Sequence, residues 1–430
     1  MSYKEYENQI DPKIKWVGKI PSHWEKSKFK HNFSFSKSVN TSENPTILSL
    51  TLQGIKIRDI STNEGQIASS YDNYTKVYKG DIVLNPMDLI SGFVDCSPVE
   101  GVISPAYYTL KPNKDIDPEY YKYYLQKHYY EKIFFPFAEG VSIDHRWTLK
   151  KEDFLNFNLI KPPLKEQKQI ANYLDKQISK IDATIEKNNE LIDLLEEKRI
   201  VLINQLVTKG LNSNVPMKES GIDWIGQIPN HWEIDSLKHR VDLNSKTLND
   251  NTDSNYEFDY VDIGSVSLER GIEKYEHMVF EDAPSRARRI VKKDDVIIST
   301  VRTYLKAIAI IPDKENIIVS TGFAVLTPTK INSRYLGYMV KSDYFTNLVS
   351  ANSVGVSYPA INSTDLINLK ILIPSEEEQN EIANYLDKEI LNLNNIINKV
   401  SDNIALLEEY KISLIHHVVT GKIDIRGEEI

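Results

Sequence analysis

Two sequence blocks occur twice in the chain, in the same order. Residues 166–176 read EQKQIANYLDK and residues 378–388 read EQNEIANYLDK, so nine of eleven positions are identical. Residues 16–25 (WVGKIPSHWE) return at 224–233 (WIGQIPNHWE), with seven of ten positions identical. Repeated blocks at near-constant offsets, here 212 and 208, indicate an internal duplication. The chain is therefore predicted to fold as two similar units.

Each EQ block opens a long helical pattern. The apolar positions that follow alternate in spacings of three and four, which is the heptad seam of two helices packed together. The predicted seam residues are Ile178, Ile181, Ile185, Ile192, Leu195 and Leu202 in the first copy, and Ile390, Leu393, Ile397, Ile404, Leu407 and Leu414 in the second. Arg199 and Lys411 occupy matching polar seam positions. They either fix the register or extend to solvent near the helix ends, and we favour the second alternative.

A pseudo-twofold relation between the halves would make the two long helices antiparallel and would bring the chain termini together. Each helix would be roughly 60 Å long at about 1.5 Å per residue. The predicted fold class is α+β, with two pseudo-symmetric α/β domains joined by an antiparallel two-helix coiled coil. The predicted segments are domain 1 (1–164), helix 1 (165–209), domain 2 (210–376), helix 2 (377–422) and a tail (423–430).

The middle of each unit has the composition of short strands followed by a helix. Strands are predicted at 46–52, 81–85, 102–110 and 157–163, and at 260–266, 296–301, 307–311, 317–326 and 369–374. Asp117-Pro118 and Asn332 are expected to cap the helices that follow them. The tryptophans of the entry blocks are expected to pack onto the domains, and His23 and His231 to have packing or turn roles.

Composition and motifs argue against catalysis. The single cysteine, Cys96, excludes an internal disulfide and a cysteine-based zinc site, and it suits the reducing cytoplasm. Residues 85–88, NPMD, resemble the Asn-Pro-Pro-aromatic motif of amino-methyltransferases but lack its stacking ring, so a turn is favoured. The sequence has no phosphate-binding GxxxxGK[ST] loop and no apolar run of roughly 20 residues. We therefore predict no catalytic residue, no metal site and no cofactor bound by this chain.

A basic segment in the second unit is the main candidate for nucleic-acid binding. Residues 284–306 carry a local net charge of +5, against −9 for the whole chain. Clustered Lys and Arg suit phosphates, and an Arg held in a turn suits guanine. The alternative is an ordinary solvated run of charges, and the two-unit layout favours binding. The predicted DNA-binding residues here are Arg286, Arg288, Arg289, Lys292, Arg302, Thr303, Tyr304 and Lys306, with Ser357 and Tyr358 from a later glycine loop.

The comparable region of the first unit is less basic. Asn85 is suited to adenine, and a cation beside an aromatic residue at 145–147 could contact a nucleic acid. An aromatic residue near a glycine loop belongs more often to a core. The candidate residues are Lys76, Asn85, Asp88, Ser142, His145 and Arg146.

On these residues the chain resembles the specificity subunits of type I restriction-modification enzymes. The features that carry the resemblance are the repeated EQxxIAxYLD helix start after a proline, the W-x-G-x-I-P-x-H-W entry blocks, the VVTGK sequence at 418–422, and the order of the parts. The first copy departs from the VVTGK pattern, with VTKG at 207–210. The resemblance covers essentially the whole chain.

The resemblance implies a noncatalytic subunit with two target recognition domains that read the halves of a split, asymmetric site in double-stranded DNA. It implies two methyltransferase subunits that use S-adenosylmethionine to methylate adenine, and restriction subunits that use ATP and Mg²⁺. A cytoplasmic location follows. The alternative is a coiled-coil scaffold that joins protein partners without reading DNA sequence.

Overall fold

The computed structural model describes residues 4–60, 68, 70–90, 92–140, 147–222 and 224–427. The chain divides into two compact units, each built from two stretches of sequence. Unit 1 comprises residues 1–188 and 402–430, and unit 2 comprises residues 189–401. Because each boundary falls inside a long helix, each unit contains part of both long helices.

Unit 1 contains short strands, three short helices and the first part of the long helix α4. Its strands are β1 (Gln9–Ile10), β2 (Ile20–Pro21), β3 (Glu25–Lys28), β4 (Phe33–Phe35), β5 (Leu48–Thr51), β6 (Gly54–Ile57), β7 (Thr75–Val77), β8 (Ile82–Leu84), β9 (Val94–Cys96), β10 (Gly101–Ile103), β11 (Tyr108–Pro112) and β12 (Asn158–Lys161). Its helices are α1 (Phe29–Asn32), α2 (Pro118–Tyr130), α3 (Lys151–Asn156) and α4 (Leu164–Lys209).

Unit 2 has the same order of parts. Its strands are β13 (Met217–Glu219), β14 (Gln227–Pro229), β15 (Glu233–Ser236), β16 (Val241–Leu243), β17 (Glu257–Val261), β18 (Val266–Ser267), β19 (Gly271–Ile272), β20 (Glu276–Val279), β21 (Ala287–Ile290), β22 (Val296–Ser299), β23 (Ile308–Ile310), β24 (Ile317–Ser320), β25 (Phe323–Pro328) and β26 (Lys370–Ile373). Its helices are α5 (Ser333–Lys341), α6 (Asp343–Ala351), α7 (Ser363–Asn368) and α8 (Glu376–Val419).

Both units are organised around an equivalent four-stranded antiparallel sheet. Its order is β4-β11-β8-β9 in unit 1 and β16-β25-β22-β23 in unit 2. The strands β8 and β22 are buried along their whole length, and their residues are apolar except for Ser299 at the end of β22. A strand pair that joins the entry block to the strand before the long helix is also shared, as β3–β12 and β15–β26. The predicted α+β class and pseudo-symmetry are confirmed.

The long helices α4 and α8 run antiparallel. In unit 1, Leu174 near the start of α4 shares a hydrophobic core with Val418 near the end of α8. In unit 2, Leu206 near the end of α4 shares a core with Leu386 near the start of α8. The two ends of the chain also meet within unit 1, where the backbone N–H of Asp424 donates to the carbonyl of Lys4 at 2.7 Å.

The predicted seam residues of both helices are buried or half-buried, whereas apolar residues outside the seam, such as Leu194 and Leu391, are exposed. The expectation that the polar seam residues extend to solvent is wrong for Arg199, which is only 7% exposed. Its guanidinium donates to Asn394 Oδ1 at 3.3 Å. Lys411 forms an ion pair with Asp182 at 2.6 Å. Both side chains are therefore held by polar contacts with the other long helix.

The two repeated blocks of unit 1 contact each other through one carboxylate. Glu166, in the first turn of α4, accepts a hydrogen bond from the indole of Trp24 at 2.8 Å and lies 2.6 Å from His23 Nε2. Tyr6 donates to the same carboxylate at 3.3 Å. The entry block and the start of the long helix are thereby fixed to each other, which gives the histidine a structural role.

Unit 2 repeats this arrangement, with Trp232 and His231 each 2.9 Å from the carboxylate of Glu378. Gly210, just after the end of α4, lies against both partners, since a Cβ there would be 2.8 Å from Glu378 and 3.2 Å from Trp232. We call these arrangements the carboxylate clamps. The packing predicted for the first tryptophan of each block holds for Trp16, which stacks on Phe157 at 4.5 Å, but not for Trp224, which is 53% exposed.

Some predicted elements are shorter than expected or divided. The strand predicted at 102–110 is two strands, β10 and β11, and the strand predicted at 317–326 is divided into β24 and β25 by a turn. The helix predicted after Asn332 is divided into α5 and α6 by Ser342, whose backbone is extended. The caps are as predicted, since Asp117 accepts from the Tyr120 N–H and Asn332 from the Tyr335 N–H.

Candidate nucleic-acid interface

Two loops lie side by side at one end of the shared sheet in unit 2. Unit 2 loop A (residues 300–306) connects β22 to β23, and unit 2 loop B (residues 353–360) connects α6 to α7. They are joined by a β-bridge between Val301 and Ala360, and by a hydrogen bond from the Thr303 N–H to the Pro359 carbonyl at 3.3 Å. Loop A is thus anchored by a buried strand on one side and by loop B on the other.

The aromatic and cationic side chains of these loops form an exposed group. The Arg302 guanidinium lies 5.0 Å from the ring centroid of Tyr358, close enough for a cation–π interaction. Tyr358 is 65% exposed and Tyr304 is 57% exposed. Arg302 adopts a left-handed conformation with φ 51°, which costs about 1 kcal/mol or more for a non-glycine residue. The loops hold a planar cation and two rings at the surface, a combination suited to base edges and phosphates.

The other predicted residues of these loops have different environments. Thr303 is buried, and its hydroxyl lies 2.9 Å from that of Ser353, so it connects loop A to loop B rather than projecting outward. Lys306 lies 3.7 Å from Asp343, at the start of α6. Ser357 is exposed beside Tyr358.

Arg286, just before β21, is connected to the same end of the unit, whereas the two arginines within β21 have other neighbours. The Thr321 N–H donates to the Arg286 carbonyl at 2.8 Å. The residue after Thr321 is Gly322, and its carbonyl accepts from the Thr300 N–H at 2.8 Å. The turn between β24 and β25 therefore connects Arg286 to loop A. Arg288 lies 4.8 Å from the ring centroid of Phe280. Arg289 donates to the Thr247 hydroxyl at 3.2 Å.

Lys292 is not part of this group. Lys292 precedes β22, whereas Arg302 follows β22. The four extended residues of this strand span about 13 Å. The Lys292 N–H is bound by Asp295, and Lys293 forms an ion pair with Asp313 at 2.6 Å. The basic segment is continuous in sequence, but β22 places Lys292 and Lys293 at one end of the strand and Arg302 at the other.

Unit 1 builds the same pair of loops from different residues. Unit 1 loop A (residues 85–90 and 92) follows β8, and the described residues of unit 1 loop B (139, 140, 147 and 148) precede α3. The Leu149 N–H donates to the Pro86 carbonyl at 2.8 Å, just as the Ile361 N–H donates to the Thr300 carbonyl at 2.9 Å. Residues 141–146, which include the predicted Ser142, His145 and Arg146, lie outside the described residues.

The predicted polar residues of unit 1 loop A stabilise its turns. Asn85 Oδ1 accepts from the Met87 N–H at 3.0 Å, and Asp88 Oδ1 accepts from the Ile90 N–H at 3.1 Å. The Tyr129 hydroxyl donates to the Asn85 carbonyl at 2.5 Å, and burial raises the pKa of this phenol well above its usual value, so it remains a donor.

Lys76 lies on β7, away from these loops in sequence, and forms an ion pair with Glu100 at 3.0 Å.

The exposed apolar residues of the unit 2 loops were not predicted from the sequence. Val354 is 81% exposed, Val356 is 101% exposed and Leu305 is 43% exposed, all beside the aromatic residues of the unit 2 loops. In unit 1, the aromatic residue predicted beside the cation at 145–147, Trp147, packs against Phe135 with ring centroids 4.5 Å apart and is half-buried. Apolar residues flanking a glycine in a loop are a weak signal, because most such residues are buried.

Two kinds of feature are absent from the described residues. In the part of the chain that the structure describes, no group of three or more His, Cys, Asp or Glu side chains could hold a metal ion. Within the same ranges, no helix combines the length and the apolar character needed to cross a membrane.

Comparison with known proteins identifies the class that has this fold and these repeated loops. The model of the type I restriction modification DNA specificity domain matches residues 26–193 and 229–406, once in each half. The chain belongs to this family. It is a DNA-recognition specificity subunit of the type I restriction-modification class, and it is not itself an enzyme.

Two curated relatives support the assignment along most of the chain. The type I restriction enzyme MjaVIII specificity subunit of Methanocaldococcus jannaschii is 27% identical over 373 residues, which cover 82% of this chain and 83% of the relative. The type I restriction enzyme StySPI specificity subunit of Salmonella potsdam is 22% identical over 328 residues, 73% of this chain and 67% of the relative.

Two solved structures have the same fold. A chain from a study of complex assembly and conformational transition of the type I R-M system superposes with a TM-score of 0.71 and 16% identity, covering 94% of this chain and 99% of that chain. The HsdS subunit from Thermoanaerobacter tengcongensis superposes with a TM-score of 0.55 and 15% identity, covering 96% of this chain and 100% of that chain.

Proposed function

We propose that the two units read the two halves of a split, asymmetric sequence in double-stranded DNA, each through its own loops A and B. The DNA-binding residues predicted from the sequence belong to this proposal. Arg302, Tyr304 and Tyr358 would contact bases or phosphates in unit 2, and Asn85 and Asp88 would contribute in unit 1. Arg286 and Arg288 would bind phosphates beside the unit 2 loops.

One observation carries the proposal. The two loop pairs are held by equivalent hydrogen bonds, from Leu149 to Pro86 and from Ile361 to Thr300, yet they present different chemistry. Unit 2 presents an arginine with exposed aromatic and apolar residues, whereas unit 1 presents turns built on Asn85 and Asp88. The same geometry with different side chains is what two readers of different half-sites require, because bases are distinguished by side-chain donors, acceptors and apolar contacts.

Partner subunits would supply the chemistry. We infer that two methyltransferase subunits bind this chain and methylate adenine with S-adenosylmethionine, and that restriction subunits using ATP and Mg²⁺ join the full complex in the cytoplasm. Exposed apolar residues on the long helices support a protein partner there. They include Leu194 (62% exposed), Val201 (54%) and Leu391 (60%) in unit 2, and Leu406 (62%) in unit 1.

A domain exchange tests the reading of half-sites. The chain is produced with a methyltransferase partner, and methylated adenines are mapped by sequencing the host DNA. Replacing residues 46–156 with the corresponding segment of another specificity subunit should change one half of the methylated sequence and preserve the other. A change in both halves, or in neither, would refute independent reading by the two units.

Salt dependence separates DNA reading from the scaffold alternative. The complex with the methyltransferase should bind its mapped duplex, with an affinity that falls steeply as salt rises because phosphate contacts release counterions. Arg302→Ala should weaken binding to the mapped site by roughly 1–3 kcal/mol if the side chain reads a base. Association with protein partners alone, with no preference for the mapped duplex, would favour a scaffold.

A further inference from the structure

A cavity of about 400 Å³ in unit 2 lies between the long helices, helix α5, the turn from β18 to β19, and the strands β19 and β23. It is separate from loops A and B in its lining residues. Its charged lining residues are Arg199, Arg270, Lys341 and Glu269, and its apolar lining includes Ile203, Ile272, Tyr275, Ile310, Tyr338 and Ile390. We call it the Lys341 cavity.

Arg199 brings a buried positive charge to this cavity. It is 7% exposed, and its contact across the helix pair is the neutral amide oxygen of Asn394, at 3.3 Å. Among the described residues, no carboxylate lies within ion-pairing distance of its guanidinium. A buried charge without a counter-charge is costly, so Arg199 is prepared to bind an anion that enters the cavity.

Lys341 adds a second cation beside it. Burial and the neighbouring Arg199 charge lower the pKa of this ammonium to about 8. The acidic group that acts on it, Glu269, is exposed at the rim and too far away for an ion pair. The two cations therefore repel each other in a partly desolvated space, and an anion placed between them would remove this repulsion.

The corresponding cavity of unit 1 is neutral. Lys411 occupies the seam position of Arg199, 212 residues further along, and it forms an ion pair with Asp182, which stands where unit 2 has Asn394. Gln126 is nine residues after the cap Asp117, just as Lys341 is nine residues after the cap Asn332. Its amide donates to the Val94 carbonyl at 3.1 Å.

The charged lining of the unit 1 cavity is balanced. It consists of the three acids Asp95, Asp182 and Glu408 and the three bases Lys122, Lys132 and Lys411. The Lys341 cavity has three bases and one acid, and one of these bases, Arg270, is paired with Glu273 at 3.6 Å, so the excess charge belongs to Arg199 and Lys341. The same seam position therefore holds a cation in both units. Lys411 is neutralised by Asp182 in unit 1, whereas Arg199 has only the neutral Asn394 in unit 2.

We propose that the Lys341 cavity binds a small organic anion, with a phosphate or carboxylate between Arg199 and Lys341. The guanidinium offers several N–H donors in a plane, and the ammonium offers a point charge, which together suit a tetrahedral or planar oxyanion. The apolar lining and the volume fit an anion that carries an apolar or aromatic body, since ligand pockets span about 300–1,000 Å³. This site does not depend on the proposed DNA reading.

The test is calorimetric titration of the full chain with inorganic phosphate and with phenyl phosphate, at constant ionic strength maintained with chloride. Phenyl phosphate should bind more tightly, because its ring adds apolar contact. Binding of neither compound would overturn the proposal.

Two variants place the binding in this cavity. Asn394→Asp introduces the carboxylate that unit 1 has at this position, so it should neutralise Arg199, weaken phenyl phosphate binding about tenfold or more, and leave the chain folded. Lys341→Gln introduces the unit 1 residue at the other position and should also weaken binding.

Lys238→Gln is the matched control, because it removes an exposed cation of unit 2 that lies outside both the cavity lining and the loops. It should leave the phenyl phosphate affinity unchanged. Undiminished binding in Asn394→Asp, or an equal loss in Lys238→Gln, would contradict the assignment. A loss that occurs only in Arg302→Ala would contradict it too, because it would place the bound phosphate in unit 2 loop A. Circular dichroism and a thermal melt of each variant distinguish lost binding from lost folding.

Discussion

The two units share the parts that the repeated blocks build and differ in their second strand systems, loops and cavities. Both have the same four-stranded sheet, the same carboxylate clamp and the same loop pair. Their second strand systems differ, since unit 2 has a four-stranded sheet, β20-β17-β24-β21, with one parallel pair, where unit 1 has the strand pairs β5–β6 and β7–β10. Their cavities and loops also carry different charges. The shared sheet and clamp hold the loops and cavities in equivalent places, so the two units can carry different side chains there on the same fold.

The largest expected effect concerns the helix seam that both units share. Leu414→Ala removes a side chain that is 2% exposed and should lower the free energy of unfolding by about 2–5 kcal/mol, because it leaves a cavity. Ile412→Ala, on the same helix but 36% exposed, is the control and should cost far less. Urea denaturation measures both. Equal losses in the free energy of unfolding would show that burial of Leu414 in the seam contributes no extra stability.

The clamps should be the next most sensitive sites. Glu166→Ala leaves the buried indole N–H of Trp24 without an acceptor and should lower the free energy of unfolding by about 1–3 kcal/mol. Glu378→Ala should cost somewhat less, because Tyr6 adds a third contact in unit 1 only. Glu377→Ala, at an exposed neighbouring position, should be neutral. If Glu377→Ala costs as much as the clamp variants, the clamp contributes no specific stability.

Acid should affect unit 1 through His128. Burial lowers the pKa of this imidazole to about 3, against about 6.5 in an unfolded chain. The folded state therefore binds fewer protons, so the stabilisation is complete above about pH 6.5 and is lost as the pH falls toward 3, by about 1.4 kcal/mol per pH unit. Unfolding measured at several pH values should show a smaller loss in His128→Gln. The exposed His31→Gln should keep the wild-type pH dependence.

The smallest expected effect sharpens the comparison of the two cavities. Asp182→Asn removes the partner of Lys411 and makes the unit 1 seam resemble that of unit 2. Because Lys411 retains some solvent access, the loss of stability should be about 1 kcal/mol or less. Urea denaturation of Asp182→Asn and of Asn394→Asp gives the change in the free energy of unfolding for each variant, and the two changes are compared. A loss of several kcal/mol would mean that the cation cannot be tolerated without its carboxylate.

The architecture was largely predictable from the sequence, and the interface only partly. The repeated blocks and the heptad spacing predict two units and antiparallel helices, because periodicity reflects which face of a helix is buried. The caps Asp117 and Asn332 were predictable from local hydrogen-bonding chemistry. The separation of Lys292 from Arg302 was not, because adjacency in sequence does not reveal that an intervening strand holds its ends about 13 Å apart.

By itself, the sequence determined the duplication, the seam and the family, since these depend on residue identities repeated at fixed spacing. Only the tertiary structure decided which repeated residues meet. It joined His23 and Trp24 to Glu166 across more than a hundred residues, and it placed Arg199 against Asn394 but Lys411 against Asp182. The physical reason is that the charge of a side chain is local, whereas its compensation depends on groups that only the packed chain brings within a few ångströms.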